Sequence, residues 1–346
     1  MFEMLALRKV ERAVDGLSLD EIDAPGAPPS GYAKIKVNKA GICGTDLAIF
    51  NWLPFLRHMK VPVVLGHEIS GVIEAVGEGV SRVKVGDCVS VESHIPCGKC
   101  YACLRGFTHV CEDTRYPGIH IDGGFAAYTN LPEEILWVVD RDVPAEIAAM
   151  FEPFGIAVHA AMDGIGVAGM NVVVAGCGPI GLMTVMAARA LGANTIIATD
   201  RNAMRLAEAA KCGADFCINV DEGDLRNHII QALPNGVDVF VDFSGATESI
   251  QLGSDVVAGG GEIRLVAAPA GTIELDIERW LHRGLTVRGL HGRRLYATWV
   301  HAMRLVKERR VDLKPLISHV LPLNEARFGF REALAGRALK ILIDPA

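Results

Sequence analysis

The sequence predicts an α/β protein with a β-rich first part of about 150 residues, followed by a doubly wound parallel sheet. Short strands separated by glycine, proline and aspartate mark the first part. In the second part, continuous apolar runs of strand length alternate with helical segments. Half of the 346 residues are apolar, about the globular average, which excludes a disordered chain.

The first part contains short predicted strands at Ala33–Val37, Ser70–Val76 and Cys88–Val91. Their closely spaced turn residues favour a small barrel or rolled sheet over a strand–helix–strand unit. The pattern changes near Glu152, where helical and parallel-strand segments begin to alternate.

The second part alternates strands and helices, as expected for a parallel sheet that is covered on both faces. The predicted strands are Asn171–Ala175, Thr195–Asp200, Val237–Phe243, Glu262–Ala267 and Leu285–Gly289, and the predicted helices are Leu182–Leu191 and Ala203–Lys211. A helix over Trp299–Arg309 and a strand over Lys340–Ile343 are predicted in the tail.

Charge and hydropathy exclude two classes of partner. The net charge of −7 argues against a nucleic-acid binder, because no basic face is indicated. No apolar stretch approaches the ~20 residues that span a bilayer, and the first residues do not resemble a signal peptide. We therefore expect a cytoplasmic protein that contacts neither nucleic acid nor membrane.

A glycine-rich motif follows the first strand of the second part. Gly176, Gly178 and Gly181 form G-x-G-x-x-G between the strand Asn171–Ala175 and a helix. The first glycine permits a tight turn, the second lets backbone N–H groups approach a pyrophosphate, and the third allows close packing of helix and strand. A glycine turn alone is a weak signal, but this context predicts a dinucleotide site.

An acidic residue, Asp200, ends the next strand, as expected for a group that hydrogen-bonds the ribose hydroxyls of NAD. Its carboxylate would repel the 2′-phosphate of NADP, which favours NAD. Arg201 and Arg205 weaken that preference, since a neighbouring arginine can accommodate the phosphate.

Four of the nine cysteines fall within fifteen residues, at Cys97, Cys100, Cys103 and Cys111. Four thiolates complete a tetrahedral zinc shell and leave no position for water, so a structural zinc is predicted. Free thiols or two disulfides are the alternatives, and disulfides rarely persist in a reducing compartment.

A second set of possible metal ligands is dispersed. Cys43 lies in G-I-C-G-T-D, and His67 and Glu68 lie in G-H-E. Three protein ligands with an open fourth position are typical of a catalytic zinc, which lowers the pKa of a bound hydroxyl. Glu152 could approach the same metal or be an ordinary residue between domains.

These motifs, in this order, resemble the zinc-dependent medium-chain alcohol dehydrogenase family over essentially the whole chain. The resemblance implies a GroES-like β-barrel catalytic domain over residues 1–151, with the structural zinc lobe at 94–113. It further implies a Rossmann NAD-binding domain over 152–292 and a segment over 293–346 that returns to the catalytic domain. Relatives of this kind are usually homo-oligomers, so we expect a tetramer or a dimer.

Within the family the chain is most similar to L-threonine 3-dehydrogenases and polyol dehydrogenases. Three stretches carry this likeness: Ile49–Trp52, Glu152–His159 and Val287–Arg293. The implied activity is oxidation of a secondary alcohol to a ketone with NAD and two zinc ions per chain. L-threonine is the implied substrate, with a polyol such as sorbitol or butanediol as the alternative.

The resemblance also assigns individual residues. Cys43, His67 and Glu68 would ligate the catalytic zinc, Thr45 would take the first proton, and Glu152 would assist its relay. His94 matches a substrate-pocket histidine, although a histidine of a solvated loop is the alternative. The implied cofactor contacts are Gly176, Gly178, Ile180, Gly181, Asp200, Arg205, Val266, Ala268, Leu290 and His291.

One position departs from the family pattern. The family usually has a histidine five residues after the zinc-binding cysteine, as the outer group of the proton relay, and this chain has Ala48. Water or Glu152 would have to replace it. Two rival functions on the same fold are a non-catalytic NAD-binding protein and a zinc-free quinone reductase. Both conflict with the intact set of Cys43, His67 and Glu68.

Overall fold

The computed structural model describes residues 2–269 and 271–345, which fold into two compact units. The first unit comprises Met1–Pro153 and Leu313–Ala346, and the second comprises Phe154–Asp312. The division assigns residues 293–312 to the second unit, whereas the resemblance places them in the returning segment. The functional domain limits therefore stay a prediction. Within the described residues, no helix is both long and apolar enough to cross a membrane.

The strands, in chain order, are β1 Glu3–Lys9, β2 Leu17–Asp23, β3 Tyr32–Gly41, β4 Val63–Val64, β5 Glu68–Val76, β6 Cys88–Val91, β7 Tyr128–Pro132, β8 Leu136–Val138, β9 Asn171–Ala175, β10 Thr195–Asp200, β11 Phe216–Asn219, β12 Val237–Asp242, β13 Val257–Leu265, β14 Thr286–Gly289, β15 Ile317–Pro322 and β16 Lys340–Asp344.

The α-helices are α1 Gly44–Phe50, α2 Tyr101–Leu104, α3 Ala145–Met162, α4 Pro179–Ala190, α5 Ala203–Lys211, α6 Leu225–Ala232, α7 Thr247–Val256, α8 Ile277–Arg283, α9 Ala297–Lys307 and α10 Ala326–Leu334. Short 3₁₀ helices lie at Pro54–His58, Thr108–Val110, Glu133–Ile135, Lys314–Leu316 and Leu323–Glu325.

The first unit is built around a seven-stranded sheet in the order β15-β16-β3-β5-β6-β8, with β7 paired to β3, and a smaller sheet in the order β2-β1-β4. Strand β16 runs antiparallel to β3, so the end of the chain hydrogen-bonds to an early strand. Two serines of the sheet also bind the first turns of α3. Ser70 Oγ donates to the Ala145 carbonyl and Ser90 Oγ to the Ala148 carbonyl, both at 2.7 Å.

The second unit contains a six-stranded parallel sheet in the order β11-β10-β9-β12-β13-β14. The centre of strand β9 consists of three apolar residues, Val172, Val173 and Val174, and all three are fully buried. The strand order reverses between β9 and β12, and ligands of such sheets bind at the carboxyl ends of the strands beside this reversal.

Candidate active site and nucleotide site

Three side chains of different chemistry that could bind a metal ion meet inside the first unit. The ligand atoms of Cys43, His67 and Glu68 lie within 4.8 Å of one another. His67 Nδ1 and Glu68 Oε1 are buried and have no hydrogen-bond partner among the described residues. An unsatisfied buried polar group costs about 1–3 kcal/mol. The cluster therefore presents donor atoms that a metal ion would satisfy.

Local backbone structure fixes two of these side chains. Cys43 is the residue that precedes α1, and its backbone N–H donates to Asp46 Oδ2 at 2.9 Å. Glu68 is the first residue of β5, and His67 immediately precedes it. Gly41 is paired with Glu68 across β3 and β5. A Cβ at Gly41 would lie 1.9 Å from Glu68 Oε2, so only glycine leaves room for this carboxylate.

The environment of His67 favours a positive charge. Burial lowers the pKa of His67, but the charges of Asp46 and Cys43 outweigh burial and hold this pKa well above its ordinary value. Asp46 Oδ1 lies 3.8 Å from His67 Nδ1, and the Asp46 side chain is fully buried. A divalent cation bound here would neutralise the negative charge of the acidic groups around His67.

The third candidate ligand, Glu68, is paired with a buried lysine from the last strand. Lys340 Nζ forms an ion pair with Glu68 and donates to the Ile42 carbonyl at 3.0 Å. Burial raises the pKa of Glu68, the Lys340 ammonium opposes that shift, and the Glu152 carboxylate adds to it. The Lys340 ammonium is thus close to more than one carboxylate. The sulfur, nitrogen and oxygen donors of Cys43, His67 and Glu68 are a combination that suits zinc.

The four clustered cysteines converge as predicted, with sulfur atoms within 4.8 Å of one another. Cys100 Sγ and Cys111 Sγ are 3.9 Å apart. Zinc–sulfur bonds of about 2.3 Å in a tetrahedron would separate neighbouring sulfurs by about 3.8 Å, so the cluster fits that ion. Backbone N–H groups of Cys103 and Glu112 help lower the pKa of the Cys100 thiol to about 6. Burial and the neighbouring thiols raise the pKa of Cys103 to about 12, so the protein favours the thiolate at Cys100 but not at Cys103.

The glycine-rich loop of the second unit has the conformation that the motif predicts. Gly176 follows β9 with φ +92°, and Gly178 is the residue before α4. A Cβ at Gly181 would lie 1.9 Å from the Gly176 carbonyl oxygen, so helix and loop pack too closely for any side chain. Pro179 begins the helix, where its missing N–H has no cost.

A cavity of ≈ 690 Å³ lies beside this loop at the carboxyl ends of β9 and β10. Of the predicted cofactor residues, Gly176, Gly178, Asp200 and Arg205 line it. Asp200 Oδ2 accepts from the Cys177 backbone N–H at 2.7 Å. The carboxylate predicted to meet the ribose thus also holds the glycine loop.

The other predicted cofactor residues lie outside the lining of this cavity. Ile180 and Gly181 are in the first turn of α4. Val266 and Ala268 follow β13, and Leu290 and His291 follow β14. Leu290 donates its backbone N–H to the Leu265 carbonyl at 2.8 Å, which brings the ends of these two strands together.

Four residues of the metal-site region are not among the predicted site residues. Asp46 stands within the quoted G-I-C-G-T-D motif, three residues after Cys43, where an acidic residue can cap a helix start. Glu92 and Ser93 precede His94 directly and contact it in a buried cluster with Glu152. The fourth is Lys340, whose role no local pattern signals.

Both units of the chain match models of known protein families. Residues 29–141 match the family model "Alcohol dehydrogenase GroES-like domain", and residues 179–308 match "Zinc-binding dehydrogenase". An L-threonine 3-dehydrogenase of Bacillus subtilis (strain 168) is 38% identical over 99% of this chain and 99% of its own length. The chain belongs to the zinc-binding alcohol dehydrogenases.

Solved structures of this dehydrogenase family agree. The 2R,3R-butanediol dehydrogenase of Bacillus subtilis superposes with a TM-score of 0.91 at 28% identity, covering 99% of this chain and 100% of that one. A zinc-binding dehydrogenase of Sinorhizobium meliloti 1021, bound to NADP, gives 0.93 at 28% identity with both chains fully covered. The predicted fold class and the predicted class of enzyme, a zinc-dependent oxidoreductase of alcohols, are confirmed.

Proposed function

We propose that this dehydrogenase oxidises the secondary hydroxyl of L-threonine, or of a closely related amino alcohol, to a ketone while NAD⁺ is reduced. The observation that carries the proposal is the convergence of half-buried Cys43 with buried His67 and Glu68, whose donor atoms lie within 4.8 Å of one another. The similarity to L-threonine 3-dehydrogenases over 99% of the chain supports the choice of substrate.

Cys43, His67 and Glu68 would hold the catalytic zinc, and Cys97, Cys100, Cys103 and Cys111 would hold the structural zinc. When bound at the first site, zinc supplies a Lewis acid that lowers the pKa of the substrate hydroxyl. The Thr45 hydroxyl accepts the departing proton as it gives its own hydrogen onward. With Ala48 in the outer position, the Glu152 carboxylate takes that proton and releases it to water after each turnover. His94 contacts the substrate.

The pyrophosphate and adenosine ribose of the dinucleotide would bind in the cavity beside Gly176 and Gly178, and its nicotinamide ring would accept the hydride from the substrate carbon. Asp200 supports NAD over NADP. Because Asp200 also accepts hydrogen bonds from the backbone N–H groups of Cys177 and Asn202, Asp200→Ala would loosen the loop as well. Asp200→Asn removes the charge and keeps one acceptor oxygen, so it retains one of these two hydrogen bonds. We expect Asp200→Asn to narrow the ratio of kcat/KM for NAD⁺ over NADP⁺, and equal efficiency with both cofactors in the unmodified enzyme would contradict the assignment.

A panel of alcohols tests the substrate. NADH formation is measured with L-threonine, (2R,3R)-butanediol, sorbitol and 2-butanol at matched concentrations. The proposal expects the highest kcat/KM with L-threonine. No turnover with any alcohol, in protein shown to contain two zinc ions, would favour a non-catalytic dinucleotide-binding protein.

A polyol is the second candidate substrate. Ala48 favours it, because the absent histidine side chain leaves space on α1 beside Thr45, and the structural similarity to a butanediol dehydrogenase supports it. A higher kcat/KM for butanediol or sorbitol than for L-threonine would select this alternative.

Two further expectations belong to the same proposal. We place the enzyme in the cytoplasm and expect a homo-oligomer, a tetramer or a dimer. Light scattering after size-exclusion chromatography measures the mass of the assembly, and a monomer at micromolar concentration would contradict the expectation.

A further inference from the structure

A second buried cluster adjoins the proposed proton acceptor. Glu92, Ser93 and His94 directly follow β6, and their side chains meet Glu152 of α3. All four are at least nine-tenths buried, with exposed fractions of 1%, 3%, 5% and 3% in that order. The proposed function uses Glu152 and His94 and leaves Glu92 and Ser93 without a role.

The hydrogen bonds of the cluster have one consistent direction. Glu92 Oε1 accepts the His94 backbone N–H at 2.9 Å and lies 2.8 Å from His94 Nδ1. Because an ionised carboxylate only accepts, this second contact puts the ring hydrogen on Nδ1. Nδ1 is also 3.2 Å from Ser93 Oγ, and with the hydrogen on Nδ1 the Ser93 oxygen is the acceptor in this contact. The Ser93 hydroxyl therefore directs its own hydrogen to Glu152 Oε1, at 2.5 Å.

The strand and the helix place these partners opposite each other. Ser90 and Ser93 are three residues apart at the end of β6, and they bind positions 148 and 152 of α3, which are one helical turn apart. Ser90 binds a backbone carbonyl, whereas Ser93 binds a carboxylate. The two serines thus make the same junction, but only Ser93 contacts an ionisable side chain.

We propose that Ser93 is a positioning residue that fixes the Glu152 carboxylate in the orientation in which it accepts the substrate proton. In this role it compensates for the relay group that is absent at Ala48. The inference rests on the proposed function, in which Glu152 is that acceptor. The Glu92–His94 pair contributes by orienting the Ser93 hydroxyl.

A metal ion is the competing interpretation of the cluster, since Glu92, His94 and Glu152 also bring donor atoms within 4.8 Å of one another. Their hydrogen bonds, directly or through Ser93, already satisfy an oxygen or nitrogen atom of each residue. Elemental analysis that finds three zinc ions per chain, the third of them lost in Glu92→Gln, would overturn the positioning role.

The test compares Ser93→Val with Ser93→Thr, which have the same shape and differ in the hydroxyl. The substrate is whichever of L-threonine and butanediol the panel selects. A positioned base contributes ~10²–10⁴-fold to rate, so we expect Ser93→Val to lower kcat at least about tenfold. Ser93→Thr should stay within about threefold of the unmodified enzyme, and KM for NAD⁺ should be unchanged in both.

Ser90→Ala is the matched control, because it removes a neighbouring hydroxyl from the same junction without touching Glu152. It should lower the melting temperature while kcat is kept. An equal loss of kcat in Ser90→Ala, or equal values in the Val and Thr variants, would show a structural role and overturn the proposal.

A double variant supplies a second, independent measurement. If Ser93 compensates for Ala48, then Ala48→His should restore kcat in the Ser93→Val background by a larger factor than it raises kcat alone. A simple product of the two effects would overturn the inference. Glu152→Gln distinguishes failure of the proposed function from failure of the Ser93 inference. Full activity in Glu152→Gln would show that Glu152 is not the proton acceptor. If Glu152→Gln is inactive while Ser93→Val is fully active, Glu152 remains the proposed acceptor and only the positioning role of Ser93 is contradicted.

Discussion

The two metal-binding clusters of the first unit differ in how the chain assembles them. Cys97, Cys100, Cys103 and Cys111 come from one stretch of fifteen residues, with a single donor chemistry. The proposed catalytic cluster instead combines the residue before α1, the start of β5 and a lysine from β16. The first cluster is local in sequence and the second depends on the pairing of distant strands.

The two clusters are expected to have different functions for this reason. In the proposed function, four thiolates would close the coordination shell, so the lobe would contribute folding energy and leave no position for a substrate. The mixed cluster has three donors and an open position, and its charges are balanced by Lys340 and Asp46. Such outer partners typically change metal affinity or activity by 10–100-fold. The proposed function therefore assigns stability to the local cluster and reactivity to the distributed one.

Cys43→Ala is expected to have the largest effect of the variants that test this difference between the two clusters. Loss of a direct ligand should reduce turnover by more than the roughly 10–100-fold typical of outer partners. The fold and the zinc of the cysteine lobe should remain, so elemental analysis should give one zinc per chain. Circular dichroism provides the control for folding. Retained turnover, or loss of both zinc ions, would show that the two clusters are not independent.

Cys103→Ala addresses the opposite cluster. Metal binding at a structural site is folding free energy, on the order of 10–16 kcal/mol for zinc-finger peptides. Removal of one of four thiolates should forfeit part of it, and we expect the melting temperature to fall by more than about 5 °C. At a temperature where the variant is folded, kcat should change far less than in Cys43→Ala. A loss of kcat without destabilisation would contradict the division of roles.

The same contrast explains how far the sequence alone could predict the site. Cysteine spacing predicted the convergence of the four sulfur atoms, and the strand–glycine–helix context predicted the conformation of the glycine loop, because both signals lie within one short stretch. Asp46 had a local signal, an acidic residue three positions after Cys43 at a helix start. Lys340 had none, because its contact with Glu68 depends on β16 pairing with β3 beside β5. Ser93 acquires its partner only through the docking of α3.

The fold shows a related limit. Strands with continuous apolar cores, such as β9 and β10, were predicted with bounds identical to those of the structure. Helix α3 was not predicted, although it carries Glu152. Its residues are buried on nearly every side, so it lacks the polar face that reveals an amphipathic helix, and it contains Pro153.

The smallest expected effect concerns Ala48, where the distributed cluster departs from its family. Thr45 and Ala48 are three residues apart on α1 and share a face of the helix. Side chains on a helix lean toward its N-terminus, so a histidine at position 48 would extend over Thr45. A positioned acid or base is worth ~10²–10⁴-fold, but Glu152 and Thr45 already supply part of that. We expect Ala48→His to raise kcat at pH 7 by a few-fold, and by less at high pH, where hydroxide competes as the proton acceptor. Ala48→Gln is the control, since it fills similar space without an imidazole. A raised KM with unchanged kcat in both variants would show that Ala48 serves to make room for the substrate, and that proton transfer in this enzyme does not depend on position 48.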